Sequence, residues 1–256
     1  VSPNKREREY ARRRHEQWME RQRAARTHRR RARIAAIAAV GVLVISGGIV
    51  AVSQADHKNT AAGTPSTSAS GSPTATTPST ASTPPSPSLA QARAWTANLT
   101  TSVGAIGVTL DGKAAPQAVA SFVYLAKLGF FNNTNCHRLT TSGIFVLQCG
   151  DPTGTGTGAP NYHFGPIENA PANNVYPAGT VAMARVGNNA KSQGSQFFIV
   201  YKASTIPADT AGGYTVFGHV TSGLDVVTTV AKSGVSGGQA SGQPSIPVTI
   251  KGVAVK

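Results

Sequence analysis

Between Ser53 and Ala92 the chain is dominated by Ser, Thr, Pro and Ala, holds six prolines, and carries charged side chains only at Asp56 and Lys58. Such a stretch exposes too little apolar surface to offset the entropy of ordering it, so it reads as a disordered, semi-extended linker. Its forty residues would reach about 120 Å as a polyproline-like rod or about 35 Å as a flexible coil. Any globular fold is thereby confined to residues 93–256, long enough for one well-buried core.

The residues before the linker divide again. Residues 1–33 hold thirteen Lys/Arg against four Glu, a net +9 out of the whole chain's +14. The basic character therefore belongs to a tail, and nucleic-acid binding is not expected of the remainder. Ile34 to Val52 is 19 residues without a charge. As a helix it spans about 28 Å, close to the roughly 30 Å of a bilayer's hydrocarbon. Arg29, Arg30, Arg31 and Arg33 abut its start, a bias that keeps the N-terminus cytoplasmic and exports the chain beyond Val52. A cleaved signal peptide ending near Ser53-Gln54-Ala55 is the competing reading. A tail of 33 residues and an apolar core of 19 are both long for that class, which favours an uncleaved anchor.

Within 93–256, short β-type runs are predicted at Trp95–Leu99, Ala105–Leu110, His137–Leu139, Ile144–Gln148, Thr180–Ala184, Phe197–Val200, Val216–Val220 and Val248–Val255, with turns at Asp111-Gly112, Gly187-Asn188 and Gly212-Gly213. Pro116 to Leu128 places Val119, Phe122, Val123 and Ala126 on one helical face, with Pro116 suited to the first turn and Gly129 to the stop. Ser222 to Lys232 is a second predicted helix, Ser222 and Asp225 being spaced as a capping box. Many short strands with two helices far apart predict a mainly β domain: a closed eight-stranded antiparallel barrel capped by two α-helices.

Two segments carry the chemistry: CHRLTTSGIFVLQCGD at 136–151 and GSQFFIVY at 194–201. They gather one guanidinium (Arg138), two amides (Gln148, Gln196) and two aromatics (Phe145, Phe198) on β-type runs. That set suits a reaction in which no covalent bond is made or broken. No cofactor and no metal are expected: the six histidines are scattered without ligand spacing and two cysteines make no zinc site. Gly154, Gly156 and Gly158 alternate with Thr, yet no Gly-Lys-Ser/Thr follows, so a barrel loop is read rather than a nucleotide site. Ser195 lacks the second glycine of a nucleophile elbow. Cys136 and Cys149 bracket the first segment. They are either small buried residues of a core strand or, on facing strands outside the cytoplasm, a disulfide.

In order along 95–254, the runs AAPQAVASFVYLAKLGFF, CHRL, FVLQCGDPTGTGTG, GTVAMA, GSQFFI, YTVFG and GLDVV resemble those of the cyclophilin family of peptidyl-prolyl cis-trans isomerases, most nearly its bacterial, membrane-tethered members. The resemblance implies the eight-stranded barrel with two helices and isomerisation of X-Pro bonds in exported or envelope proteins, assisting their folding. It implies Arg138 as the catalytic residue, and Phe145, Val146, Gln148, Ala184, Gln196, Phe198, Ile206 and Tyr214 as substrate-binding residues. Partners would be proline-containing polypeptides and, through the N-terminal helix, a membrane; a monomer is expected.

Departures from the family pattern bear on inhibitor sensitivity and sequence preference. Val146 stands for the usual methionine, two extra residues separate Arg138 from Phe145, and Arg185 replaces the usual asparagine. Ile206-Pro207 falls where many members carry a tryptophan-leucine pair, and Tyr214 replaces a common histidine. Arg185 would either select acidic substrates or remain solvated and idle. Ile206-Pro207 and Tyr214 keep open a second class of function, a proline-segment binding module without turnover, whereas Arg138, Phe145, Gln148 and Phe198 favour the enzyme.

Overall fold

Strict alternation builds the first hairpin. In β1 (Ala94–Thr101) the side chains of Trp95, Ala97, Leu99 and Thr101 are buried and those between them exposed. β2 (Gly104–Asp111) buries Ile106, Val108 and Leu110 against them. This period of two is what one solvated face and one core face require. The structure, a computed structural model, describes residues 78–256. The tail 1–33, the apolar segment 34–52 and the linker before Pro78 lie outside the described residues, and so does the expected membrane helix. Among the described residues no helix is long and apolar enough to cross a membrane.

After the hairpin come α1 (Pro116–Lys127), β3 (Thr134–Asn135), β4 (Arg138–Thr140), β5 (Val146–Cys149), β6 (Val175–Tyr176), β7 (Thr180–Met183), β8 (Phe197–Val200), β9 (Ser204–Thr205), β10 (Val216–Ser222), α2 (Leu224–Lys232), β11 (Ser241–Gly242) and β12 (Thr249–Val255). Ten strands form one antiparallel sheet in the order β11-β4-β5-β8-β7-β10-β2-β1-β12-β3, while β6 and β9 pair separately. The domain is mainly β with two helices, but the expected closed eight-stranded ladder is not what forms. Residues 134–140 break at Cys136-His137, where the pairing partner changes from β12 to β5. The two halves of that run therefore lie toward opposite ends of the sheet, and no ladder joins β11 to β3.

α1 starts at Pro116 as expected, its φ and missing N–H suiting the first turn. Its free N-terminal amides are met by Glu168, whose two carboxylate oxygens accept from Gln117 N and Ala118 N at 3.0 Å each. Phe122 enters the interior and stacks on Phe131 at 5.1 Å, with Phe197 and Phe217 both 5.5 Å away. The second helix begins later than the capping-box spacing predicts. Ser222 pairs with Gly107 as the last residue of β10, and Gly223 turns the chain at φ +79° with no side-chain cap. A side chain at Gly223 would run into the Ala105 carbonyl, so glycine is required there for conformation and space alike.

The linker also ends sooner than its composition suggests. Residues 78–92 pack on the domain: Pro87–Ala90 forms a 3-10 turn, Ala90 is fully buried, and the Trp95 indole donates to Ala90 O at 2.8 Å. Leu89 is the only large aliphatic side chain between Ser53 and Ala92, and with Ala90 it packs against the main core, where α1 and Trp95 receive it.

Candidate active site

Strands β5, β7 and β8 are buried on both faces, so their side chains serve two cores in alternation. Leu147, Val181, Phe197 and Ile199 join the interior. Val146, Ala182, Phe198 and Val200 join a second cluster with Tyr176 and Ile206, flanked by Ile144, Ala184, Tyr214 and Val216. The candidate site is built on this second face.

Register sets the polar groups beside it. Arg138 on β4 pairs with Gln148 on β5, Gln148 with Phe198 on β8, and Phe198 with Ala182 on β7. Four strands thus present one row that runs from a cation to an apolar floor. Arg138 Nη1 donates to Gln148 Oε1 at 3.3 Å, and Arg138 Nε to Ser241 Oγ at 3.1 Å. Gln148 Nε2 donates in turn to Gln196 Oε1 at 2.8 Å, and Gln196 Nε2 to the carbonyls of Gly156 and Gly158 at 3.2 and 2.9 Å. The guanidinium is exposed yet held at two of its edges.

Arg138, Ile144, Val146, Gln148, Ala184, Arg185, Phe198, Ile206 and Tyr214 surround a cavity of about 170 Å³. Seven of the nine residues that the sequence assigns to the site therefore meet here, and Gln196 lines an adjoining cavity of about 340 Å³ that shares Gln148, Ala184 and Arg185. Phe145 is the exception. It lies in the strand register of Leu147, not of Val146, and packs edge-on against Tyr201 at 6.0 Å with Lys202 Nζ 4.5 Å above its ring. Ile144 occupies the wall expected of Phe145. Counting by twos from Gln148 back through Val146 leads to Ile144, so alternation is the signal that identifies it. Tyr176, fully buried, packs in the same cluster as Val146, Phe198 and Ile206, and its hydroxyl accepts from Tyr214 N at 2.8 Å. Burial raises the Tyr176 phenol above its ordinary range. Tyr176 and Ser241 lie too far from the motifs in sequence for any local pattern to assign them.

Arg185 follows neither expectation. Its Nη1 and Nη2 grip the Asp209 carboxylate at 2.8 and 2.9 Å, Nε donates to Gly213 O at 2.9 Å, and further bonds go to Val186 O and Gly212 O. The guanidinium also lies 4.7 Å from the Tyr214 ring, and the side chain is 1 % exposed. It is neither idle nor free to receive an acidic substrate; it ties the 209–213 loop and Tyr214 to the cavity. The Arg185 hydrogen bonds, with help from the Asn188 amide, hold Asp209 well below the usual carboxylate range. A depressed folded-state pKa gives stability that is present above the unfolded value of about 3.9 and lost as pH falls through the folded one. The stability of Asp209→Asn is therefore expected to depend less steeply on pH below about 4 than that of the wild type. Urea midpoints measured from pH 5 down to 2 decide this, and identical slopes would reject the clasp.

Beside the row, Asp151 organises the glycine loop. Its carboxylate accepts from the amides of Thr153, Gly154, Gly156 and Gly158 and from the Thr153 hydroxyl. Burial alone would raise it; the bonds from Thr153, Gly158 and Gly156 prevail and hold it below its ordinary value. The ring nitrogens of His137 are buried without a hydrogen-bond partner among the described residues, and burial lowers its pKa below that of a free imidazole. Cys136 and Cys149, both buried, are joined as a disulfide.

An exposed guanidinium beside an apolar cup, backed by two amides, can bind a ring in the cup and direct a cationic donor at the adjoining backbone. Residues 96–255 match the family model of the cyclophilin type peptidyl-prolyl cis-trans isomerases. The chain belongs to the cyclophilin family. This cyclophilin is 46 % identical over 168 residues to the "Probable peptidyl-prolyl cis-trans isomerase B" of Mycobacterium tuberculosis, an alignment covering 61 % of this chain and 53 % of that one. The Mycobacterium leprae protein of the same name is 44 % identical, again over 61 % of this chain and 55 % of its own. The chain thus spans about half the length of these curated relatives. A Helicobacter pylori peptidyl-prolyl cis-trans isomerase is 40 % identical over 54 % of this chain and 82 % of its own. Among solved structures, a Cryptosporidium parvum cyclophilin type peptidyl-prolyl cis-trans isomerase superposes with a TM-score of 0.53 at 26 % identity, over 64 % of this chain and 98 % of that one.

Proposed function

We propose that this cyclophilin catalyses cis-trans isomerisation of X-Pro bonds in exported or envelope polypeptides, assisting their folding from a membrane-anchored position with the N-terminus in the cytoplasm. The row Arg138–Gln148–Phe198–Ala182 beside the apolar cavity is the observation that carries the catalytic part. Rotation about a peptide bond meets a barrier of about 18–20 kcal/mol because the nitrogen lone pair is delocalised into the carbonyl. X-Pro bonds populate both isomers but exchange only in tens to hundreds of seconds.

In the twisted state the imide nitrogen becomes pyramidal and accepts a hydrogen bond. A fixed cationic donor aimed at it binds that state better than either planar form. Arg138 supplies the donor, and Ser241 and Gln148 hold it in place before substrate arrives. Val146, Phe198, Ile206, Tyr214 and Ile144 seat the proline ring, while Gln148 and Gln196 are placed to bind the neighbouring backbone, so that one side of the bond turns against a held partner. Residues 34–52 and the Ser/Thr/Pro linker support the anchored, exported placement, and the Cys136–Cys149 bridge is compatible with an oxidising compartment.

The full chain in detergent is expected to accelerate cis-to-trans exchange of a proline tetrapeptide in a protease-coupled assay, and no acceleration would reject the catalytic part. Protease added to spheroplasts is expected to digest the domain while sparing cytosolic marker proteins; a domain as protected as those markers would reject the export part.

A further inference from the structure

The strap of residues 78–92 does more than connect. Thr80, 8 % exposed, is gripped from the domain by Asn161: Asn161 N donates to Thr80 Oγ1 at 2.8 Å and Asn161 Nδ2 to Thr80 O at 2.9 Å. Behind this clasp the strap is fastened along α1. Ala81 N donates to the Tyr124 hydroxyl at 3.2 Å, Gln117 Nε2 to Pro85 O at 3.0 Å, and Ala90 is buried under Trp95. Pro78, Pro84, Pro85 and Pro87 restrict the strap's backbone even when it is unfolded, which lowers the entropy lost on docking.

Asn161 is not a neutral anchor point. Ala159 and His163 on either side of it line the 340 Å³ cavity, together with Gly156, Thr157, Gln148 and Gln196. The carbonyls of Gly156 and Gly158 hold Gln196, which holds Gln148, which meets Arg138. The loop from Asp151 to His163 thus has two holds. Asp151 gathers its first half from within, and Thr80 fixes its second half from outside the domain boundary that composition suggests.

We infer that the Thr80–Asn161 clasp makes residues 78–92 a positioning element of the substrate groove, setting the wall of the second cavity for the part of the polypeptide that adjoins the X-Pro bond. The inference rests on the isomerase reading for its kinetic consequence and on geometry alone for its structural one. It assigns Thr80 and Asn161 no contact with the reacting atoms. Their loss should weaken substrate binding through the loop and leave the Arg138 donor in place.

The test compares the wild-type chain, Thr80→Val, Thr80→Ser and Asn161→Ala in detergent. Hydrogen exchange of amides 154–163 is expected to speed up about five- to tenfold in Thr80→Val and Asn161→Ala, the scale of one lost hydrogen bond. Exchange in β7 and β8 should stay unchanged, and Thr80→Ser should restore the wild-type rate. KM for a proline hexapeptide should rise by a similar factor with kcat within twofold. Unchanged exchange in 154–163 would overturn the inference, as would faster exchange spread evenly over the domain or an equal fall in kcat. If wild type shows no isomerase activity, the catalytic reading falls, while the exchange arms still decide the clasp. Should Thr80→Val fail to fold, Asn161→Ala, which keeps its backbone donor, carries the comparison.

Discussion

Arg138→Ala is expected to lower kcat/KM for proline-peptide isomerisation by about 10²–10³, the cost typical of removing one preorganised donor from a charge-developing site. Stability should hardly change. Arg138 is exposed, and its two bonds go to side chains, Ser241 and Gln148, that water can serve in its absence. Arg138→Lys is expected to recover only part of the loss. An ammonium keeps the charge but cannot span Ser241 and Gln148 in a plane while presenting a third edge to the substrate. Paired measurements of kcat/KM and thermal midpoint separate the outcomes. A fully active, normally folded Arg138→Ala would place the chemistry elsewhere in the cavity.

The second large effect falls on stability. Cys136 and Cys149 are 13 residues apart and joined, and closing a loop of that size in the unfolded chain corresponds to about 3 kcal/mol. For a domain of this size the melting midpoint shifts by roughly 2–4 °C per kcal/mol. Cys136→Ala with Cys149→Ala, or reductant added to the wild type, should therefore lower the midpoint by about 6–12 °C. Cys136 stands two residues before Arg138, and Cys149 directly follows Gln148. The reduced protein should accordingly lose activity at temperatures well below its own midpoint. A melting curve indifferent to reductant would show that the bridge contributes nothing in solution.

Where burial is one-sided or nearly so, the structure is legible in the residues. The alternation of Trp95, Ala97 and Leu99 marks β1, and Val119, Phe122, Val123 and Ala126 mark the buried face of α1. The site row is legible as motifs, since Arg138, Gln148, Gln196 and Phe198 fall in short distinctive runs. Strands buried on both faces are harder, because every residue looks like core. That is why the motif points to Phe145 for a wall that Ile144 in fact lines. Ser222 looks like a helix cap because spacing alone says nothing of its pairing with Gly107. The role of Arg185 depends on a carboxylate 24 positions away, and the docking of residues 78–92 on the apolar pair Leu89-Ala90 together with hydrogen bonds shared with the distant Asn161, Tyr124 and Gln117. Both are tertiary facts that no local pattern encodes.

Phe197 and Phe198 are neighbours with opposite duties, one packed beside Phe122 and Phe131 inside the domain, the other facing Tyr214 across the cavity. Because successive side chains on a strand point to opposite sides, a slip of β8 by a single position would trade them. The interior would lose a wall and the groove its floor in the same event. Misaligned molecules could not persist as sound folds with a damaged groove, so the integrity of the cavity reports directly on whether the central strands have found their correct partners.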